Sequence, residues 1–273
     1  MNKNVSLLAI SYVFGFTAAT ITVFLSGIIG SQIASIKSLA TLPTALTVVG
    51  TAVFAALAAK IMSKIGRKLG FILASLSSSI TCLLAAYAIY DRNFILFCVA
   101  NLILGAGMAF THQYRFAAAE SVEKDKAPKA ISIILLSGIV AAFLGITSAN
   151  YTKDLFTDFQ YVGSYITLAI FMFMPTIFFS FYENKKIGVI ELSKNHIDRS
   201  YFEIISQPKF LQAVIAAAFA YAIMSFLMTA TPMSMHLMEK MSLESTGLVL
   251  QIHVAAMFLP SLITGHLIKK FGH

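Results

Sequence analysis

Eight stretches of this 273-residue sequence are each long and apolar enough to cross a lipid bilayer, which leaves few folds open. A bilayer core of about 30 Å needs roughly 20 residues of helix. The stretches are Val5–Gly30, Leu39–Met62, Leu69–Tyr90, Phe94–Ala118, Ala130–Tyr151, Tyr161–Tyr182, Phe210–Leu237 and Thr246–Ile268. Inside lipid every backbone N–H and C=O must be paired within its own segment, so runs of this length are expected to be helices. A membrane β-barrel would alternate polar and apolar residues over about ten positions, and these runs do not. The expected fold class is therefore all-α, a polytopic transmembrane helical bundle. Composition excludes a soluble alternative: 58% of residues are hydrophobic and 12% charged, against about 25% charged in soluble domains. The first run is too long for a signal-peptide core and is read as the first span.

The net charge of +8 would suit a nucleic-acid partner, but the positions of the charges argue against one. With the N-terminus cytoplasmic, 16 Lys and Arg residues fall at inside loops and 4 at outside loops (Lys37, Arg92, Lys153, Lys240). That asymmetry has the sign of the positive-inside rule, and a miscounted span would scramble it. The basic residues are expected at the anionic face of a membrane, with the lipid bilayer as the partner and both termini cytoplasmic. The longest polar stretch divides the chain into residues 1–183 with six spans, a cytoplasmic loop at 184–209, and residues 210–273 with two spans. Within that loop, Tyr201–Ile205 fits an interfacial amphipathic helix or a solvated linker turn. Cys82 and Cys98 both lie inside apolar runs, as small buried hydrophobes do.

An internal repeat carries the next inference. The loop after the second span reads Ala59-Lys-Ile-Met-Ser63-Lys64-Ile-Gly66-Arg67-Lys68. The sequence after the eighth reads Gly265-His-Leu-Ile-Lys269-Lys270-Phe-Gly272. Both follow the second span of their half, as duplicated six-span halves predict. The first copy resembles the cytoplasmic signature of the major facilitator superfamily, G-x-L-A-D-R-x-G-R-K. Gly66, Arg67 and Lys68 match it, Lys64 keeps a basic position, and Ser63 replaces the Asp. The resemblance implies a gating latch of Ser63, Lys64, Gly66, Arg67, Lys68, Glu120, Gly265, Lys269, Lys270 and Gly272, weakened by the missing Asp. Asn101-x-x-x-Gly105-x-Gly107 resembles the family's R-x-x-x-G-x-G. Gly145-Ile146 stands where antiporter members have Gly-Pro, which argues against a proton-coupled drug antiporter. Stretches around Arg115, Pro232 and His253 resemble a bacterial subgroup that includes riboflavin-type and multidrug carriers. The resemblance implies a secondary transporter of a small organic solute, working by alternating access in a bacterial inner membrane. Measured against twelve spans, the chain reads as a C-terminally truncated carrier, inactive alone. The competing reading is a non-transporting, degraded membrane protein or an interaction partner.

Polar residues within spans normally face the bundle interior. Helical spacing puts Asn101, Met108, His112 and Arg115 on one stripe of the fourth span, and Tyr221, Met224 and Met228 on one stripe of the seventh. Gln251, His253 and Met257 in the eighth complete the candidate substrate cavity. Each has a plainer reading: Arg115 snorkelling to the interface, the histidines bonding a neighbouring helix, the methionines filling core. No Asp or Glu lies near the middle of a span, so a coupled proton would depend on His112, His253 or Glu120. No phosphate-binding loop, H-E-x-x-H or Cys/His cluster is present, so the sequence gives no support to an enzyme, a cofactor or a metal site.

Overall fold

A computed structural model describes residues 2–184 and 200–263. All regular structure among them is helical. Eight spans run Lys3–Ile33, Lys37–Ile65, Arg67–Tyr90, Phe94–Glu120, Lys124–Thr152, Val162–Ser180, Pro208–Met238 and Leu243–Ile263, here spans 1 to 8. They correspond one to one with the eight apolar runs. The differences lie at the ends and have local causes. Span 1 reaches back to Lys3 because the Asn2 side chain accepts the Asn4 N–H as an N-cap. Span 8 begins at Leu243, earlier than the hydropathy suggests, because Ser242 caps it through the Ser245 N–H. The continuation of span 8 to Ile268, and with it the motif residues Gly265, Lys269, Lys270 and Gly272, lies outside the described residues. The loop segment Tyr201–Ile205 is a five-residue helix.

Spans 1, 4 and 7 are interrupted within their length. Span 4 is two helices, Phe94–Thr111 and Tyr114–Glu120, joined by a turn at His112 and Gln113. Span 1 is two helices, Lys3–Gly15 and Thr17–Ile33, joined at Phe16. In span 7 the helix Pro208–Pro232 passes into a π-helical turn, Met233–Met238. Proline cannot donate to the ladder, so the wider turn follows where one backbone bond is already lost.

Spans 2 and 4 pack along each other, as do spans 3 and 6, while span 1 runs through the middle against spans 5 and 6. Glycines permit the closest of these crossings. A Cβ on Gly50 would strike the Leu102 carbonyl, and one on Gly105 the Thr47 carbonyl. Small residues let helix backbones approach in this way, which is how membrane helices gain dispersion contacts in a solvent as apolar as leucine. The Thr51 hydroxyl crosses the gap to the Gly105 carbonyl at 3.0 Å. Span 5 uses its small face twice, Gly145 against Thr17 and Thr20 of span 1 and Gly138 against Phe258 of span 8.

The end of the bundle that carries the N-terminus holds most of the basic side chains and is called the basic end. An aromatic cluster closes it: Phe71 lies 4.7 Å from Tyr114 and 4.9 Å from Phe179 between ring centres, binding spans 3, 4 and 6. Lys3 pairs with Glu183 at 2.7 Å, and this ammonium holds the Glu183 carboxyl below the usual carboxylate range. Asn4 donates to the Glu183 carbonyl at 2.8 Å, so the chain's start is fastened to the end of span 6. At the far end, three turns place a non-glycine residue at positive φ: Arg92, Tyr161 and Lys240. Span 7 is the least enclosed span, with none of its most apolar stretch buried.

The crossing of spans 2 and 4 should not tolerate bulk. Gly105→Leu is expected to destabilise the detergent-solubilised protein by about 1–3 kcal/mol or more, the usual cost of overpacking. An unchanged melting temperature would show that the two backbones do not touch there.

Candidate functional site: a chamber between the first six spans and the last two

A chamber of about 280 Å³ lies where spans 1, 2 and 4 meet spans 7 and 8. Its wall is mostly apolar: Phe16 and Val23 from span 1, Met108 from span 4, Met224 and Met228 from span 7, Met257 and Phe258 from span 8. Tyr12, Phe16 and Thr20 reach it together because they are spaced four apart on one helical face. Methionine supplies polarizable, adaptable surface, and the two phenylalanines meet edge to face at 5.5 Å.

The two ends of the chamber differ. Toward the basic end stand His112, at the turn that ends the first helix of span 4, and Arg115, in the short helix Tyr114–Glu120 that follows it. Arg115 is the one full charge among the described lining residues, and no Asp or Glu is with it. Its guanidinium lies 4.9 Å from the Phe116 ring centre. Toward the far end stand Thr22 and Thr44, 1% and 3% exposed, whose buried hydroxyl oxygens have no hydrogen-bond partner among the described residues. An unpaired buried hydroxyl costs about 1–3 kcal/mol, so these two are poised to bond something that enters.

Asn101 sits apart from the chamber, wholly buried behind it. Its Oδ1 accepts from Ser26 and Thr47, each at 3.3 Å, and its Nδ2 donates to the Phe97 carbonyl at 2.8 Å. Ser26 in turn shares a 2.8 Å hydrogen bond with the Tyr165 hydroxyl. One carboxamide thereby joins spans 1, 2, 4 and 6. Gln251 also lies elsewhere. It donates to Thr147 at 2.9 Å and lines a second cavity of about 380 Å³ between spans 5 and 8, beside Asn150 and Glu244. His253 is half-buried on span 8 and is not among the chamber-lining residues. The structure thus brings Met108, His112, Arg115, Tyr221, Met224, Met228 and Met257 to one chamber and leaves Asn101, Gln251 and His253 out of it.

At the basic end Arg67 grips Glu120 with two parallel hydrogen bonds, Nη2 to Oε1 at 2.6 Å and Nε to Oε2 at 3.1 Å. Its Nη1 donates to Gln113 at 3.3 Å. The Ser63 hydroxyl bonds back to the Lys60 carbonyl of its own helix at 2.8 Å and joins nothing across. Lys68 donates from its ammonium to the Ser180 carbonyl at 2.6 Å and from its backbone N–H to Asn184 at 2.9 Å. Gly66 makes the turn that presents both basic residues. Its φ of 83° is in the region where a side chain is strained. No such interaction is seen for Lys64, which is exposed.

Sequence reasoning missed the share of span 1. Tyr12, Phe16, Thr20 and Val23 line the chamber, yet none is charged and the span's apolarity hides them. Their i, i+4 spacing was the available signal. Thr47 and Thr51 carry two duties, bonding backbone carbonyls and, for Thr47, Asn101 while lining the chamber; Thr44 lines it with a hydroxyl that has no partner among the described residues.

Comparison with known proteins agrees with this architecture. The sequence profile described as Major Facilitator Superfamily matches residues 6–273. The riboflavin transporter RfnT of Brucella anthropi is 32% identical over 272 residues, covering 99% of this chain and 68% of the relative. Two uncharacterized MFS-type transporters of Bacillus subtilis, YddS and YdeG, are each 26% identical, over 99% of this chain and 65% of their own length. The chain thus spans about two thirds of the length of these relatives. No solved structure matches it significantly.

The Arg67–Glu120 fork lends itself to a direct measurement. Arg67 is 21% exposed and Glu120 50%, so solvent screens the pair. A double-mutant cycle of Arg67→Gln and Glu120→Gln is expected to give a coupling of about 0.5–1 kcal/mol in unfolding experiments. A coupling of zero would reduce the fork to mere proximity.

Proposed function

Because this chain belongs to the major facilitator superfamily, we propose that its chamber is the solute site of a secondary transporter that works by alternating access. The observation that carries this is the position of the chamber: both groups of spans line it, so rocking one against the other would open it to either end. The solute we propose is riboflavin or a similarly flat heteroaromatic compound. Two supports converge on it, the 32% identity to a riboflavin transporter and a wall of phenylalanine, tyrosine and methionine that suits a planar ring.

The membrane we propose is a bacterial inner membrane, with the basic end cytoplasmic. The 16 to 4 partition of Lys and Arg supports that orientation. In this reading the Arg67–Glu120 fork helps to hold the cytoplasmic gate, with Glu120 doing on span 4 what Ser63 cannot. Among His112, His253 and Glu120, His112 is the one that lines the chamber. Any coupling to a proton then runs through His112, and a pH dependence of solute binding that survives His112→Gln would overturn that assignment.

The exposure of span 7 adds a second element to the proposal. Span 7 supplies one wall of the chamber through Tyr221, Met224 and Met228, and its outer flank is uncovered among the described residues. We therefore propose that transport requires further helices against span 7 and that the 273 residues alone bind solute without moving it. A non-transporting interaction partner is the reading that remains if binding also fails.

Purified chain in lipid discs is expected to bind riboflavin saturably, and Met224→Glu to weaken binding at least about tenfold, as a charge in an apolar wall should. The same chain in sealed liposomes is expected to show no saturable uptake. Absence of binding would overturn the chamber as a solute site; saturable uptake would overturn the need for further helices.

A further inference from the structure

Resting on the reading of the chamber as a solute site, we propose that among flat heteroaromatic solutes it favours those bearing an anionic group, with Arg115 as the specificity-determining residue. Basic residues near the cytoplasmic ends of spans are ordinary, and most of those here need no ligand to explain them. Arg115 differs because it lines the chamber. Three features of its surroundings converge on an anion.

First, the chamber offers it no carboxylate among the described residues. The nearest acid along its own helix, Glu120, is already held in two hydrogen bonds by Arg67. Second, among the described residues no hydrogen bond or ion pair is seen for the guanidinium of Arg115, which is exposed. It lies against the face of Phe116, which leaves its planar donor edge open to a ligand. Arginine presents donors in a geometry that matches carboxylate and phosphate two at a time. Third, His112 stands three residues away on the same wall and adds a second polar group toward the same end. An apolar wall that terminates in a guanidinium with no acidic partner among the described residues fits a molecule with an apolar or aromatic body and one acidic group.

The apolar body and acidic group are features that a soluble solute and an anionic lipid share. We commit to a solute, because the chamber is lined by both groups of spans and includes the buried threonines of spans 1 and 2 rather than a purely lipid-facing surface.

Riboflavin and riboflavin 5′-phosphate make a probe pair with one ring system and different charge. The full chain in discs of phosphatidylcholine is expected to bind the phosphate form about tenfold or more tightly, as a charge-assisted bidentate contact predicts. Arg115→Gln is expected to bring that ratio to about one, and Arg115→Lys, which keeps the charge but not the fork, to leave an intermediate ratio. Equal binding of the two probes, or a preference that survives Arg115→Gln, would overturn the inference while leaving the chamber a solute site. Failure of both probes to bind would overturn the solute site itself. A preference that vanishes in discs containing phosphatidylglycerol would overturn the solute version in favour of a lipid headgroup.

Discussion

A carboxamide buried among membrane helices has no water to fall back on, and Asn101 shows what that imposes. Its oxygen takes hydroxyls from spans 1 and 2, and the Ser26 hydroxyl passes the connection on to Tyr165 of span 6. Each of these groups would cost free energy if left alone in lipid. Satisfying them together fixes how spans 1, 2, 4 and 6 are rotated and at what depth they meet. The glycine crossing of spans 2 and 4 lies within one turn of the same point: Thr47 bonds Asn101, and its carbonyl faces Gly105. Polar satisfaction and close packing thus specify one arrangement, and the chamber forms beside it, with Thr47 touching both.

That arrangement separates two kinds of polar residue. Those behind the chamber are paired, rigid and structural. On its wall Thr47 and Thr51 are bonded, while Thr22 and Thr44 hold hydroxyls with no partner among the described residues and Arg115 is exposed. Arg115 lies in the short helix beyond the turn at His112 and Gln113, and Asn101 in the helix before it. The network and the charged end of the chamber are therefore distinct places. A residue such as Asn101 can share a helical stripe with His112 and Arg115 and still belong to the scaffold.

Packing is uneven around the molecule, and the unevenness agrees with what the superfamily does. Spans 1 to 6 are pinned at the basic end by the aromatic cluster of Phe71, Tyr114 and Phe179, by Lys3 with Glu183, and by Arg67 with Glu120. Among the described residues span 7 shows no comparable fastening, contains a π-helical turn after Pro232, and meets span 1 where Met233 lies over Gly27. A firmly tied group of helices there faces a lightly attached one.

The amino-acid sequence alone determined the eight spans and the helical class, because apolar length is a local property and lipid admits one conformation for it. The basic loop with Gly66, Arg67 and Lys68 was legible for the same reason, being contiguous. The stripe of span 7 was legible through helical periodicity, and Tyr221, Met224 and Met228 share one wall as that spacing implies. What only the tertiary structure decided was which side of each stripe faces what. Asn101 and Gln251 bond to neighbouring spans rather than lining the chamber, because hydroxyl donors on spans 1 and 2 and a hydroxyl acceptor on span 5 stand within reach. Ser63 stands where an acid would be expected, and the partner of Arg67 comes instead from Glu120, 53 residues away in sequence and adjacent in space. Long-range partners of this kind depend on how helices are rotated about their axes, and no single span carries that information.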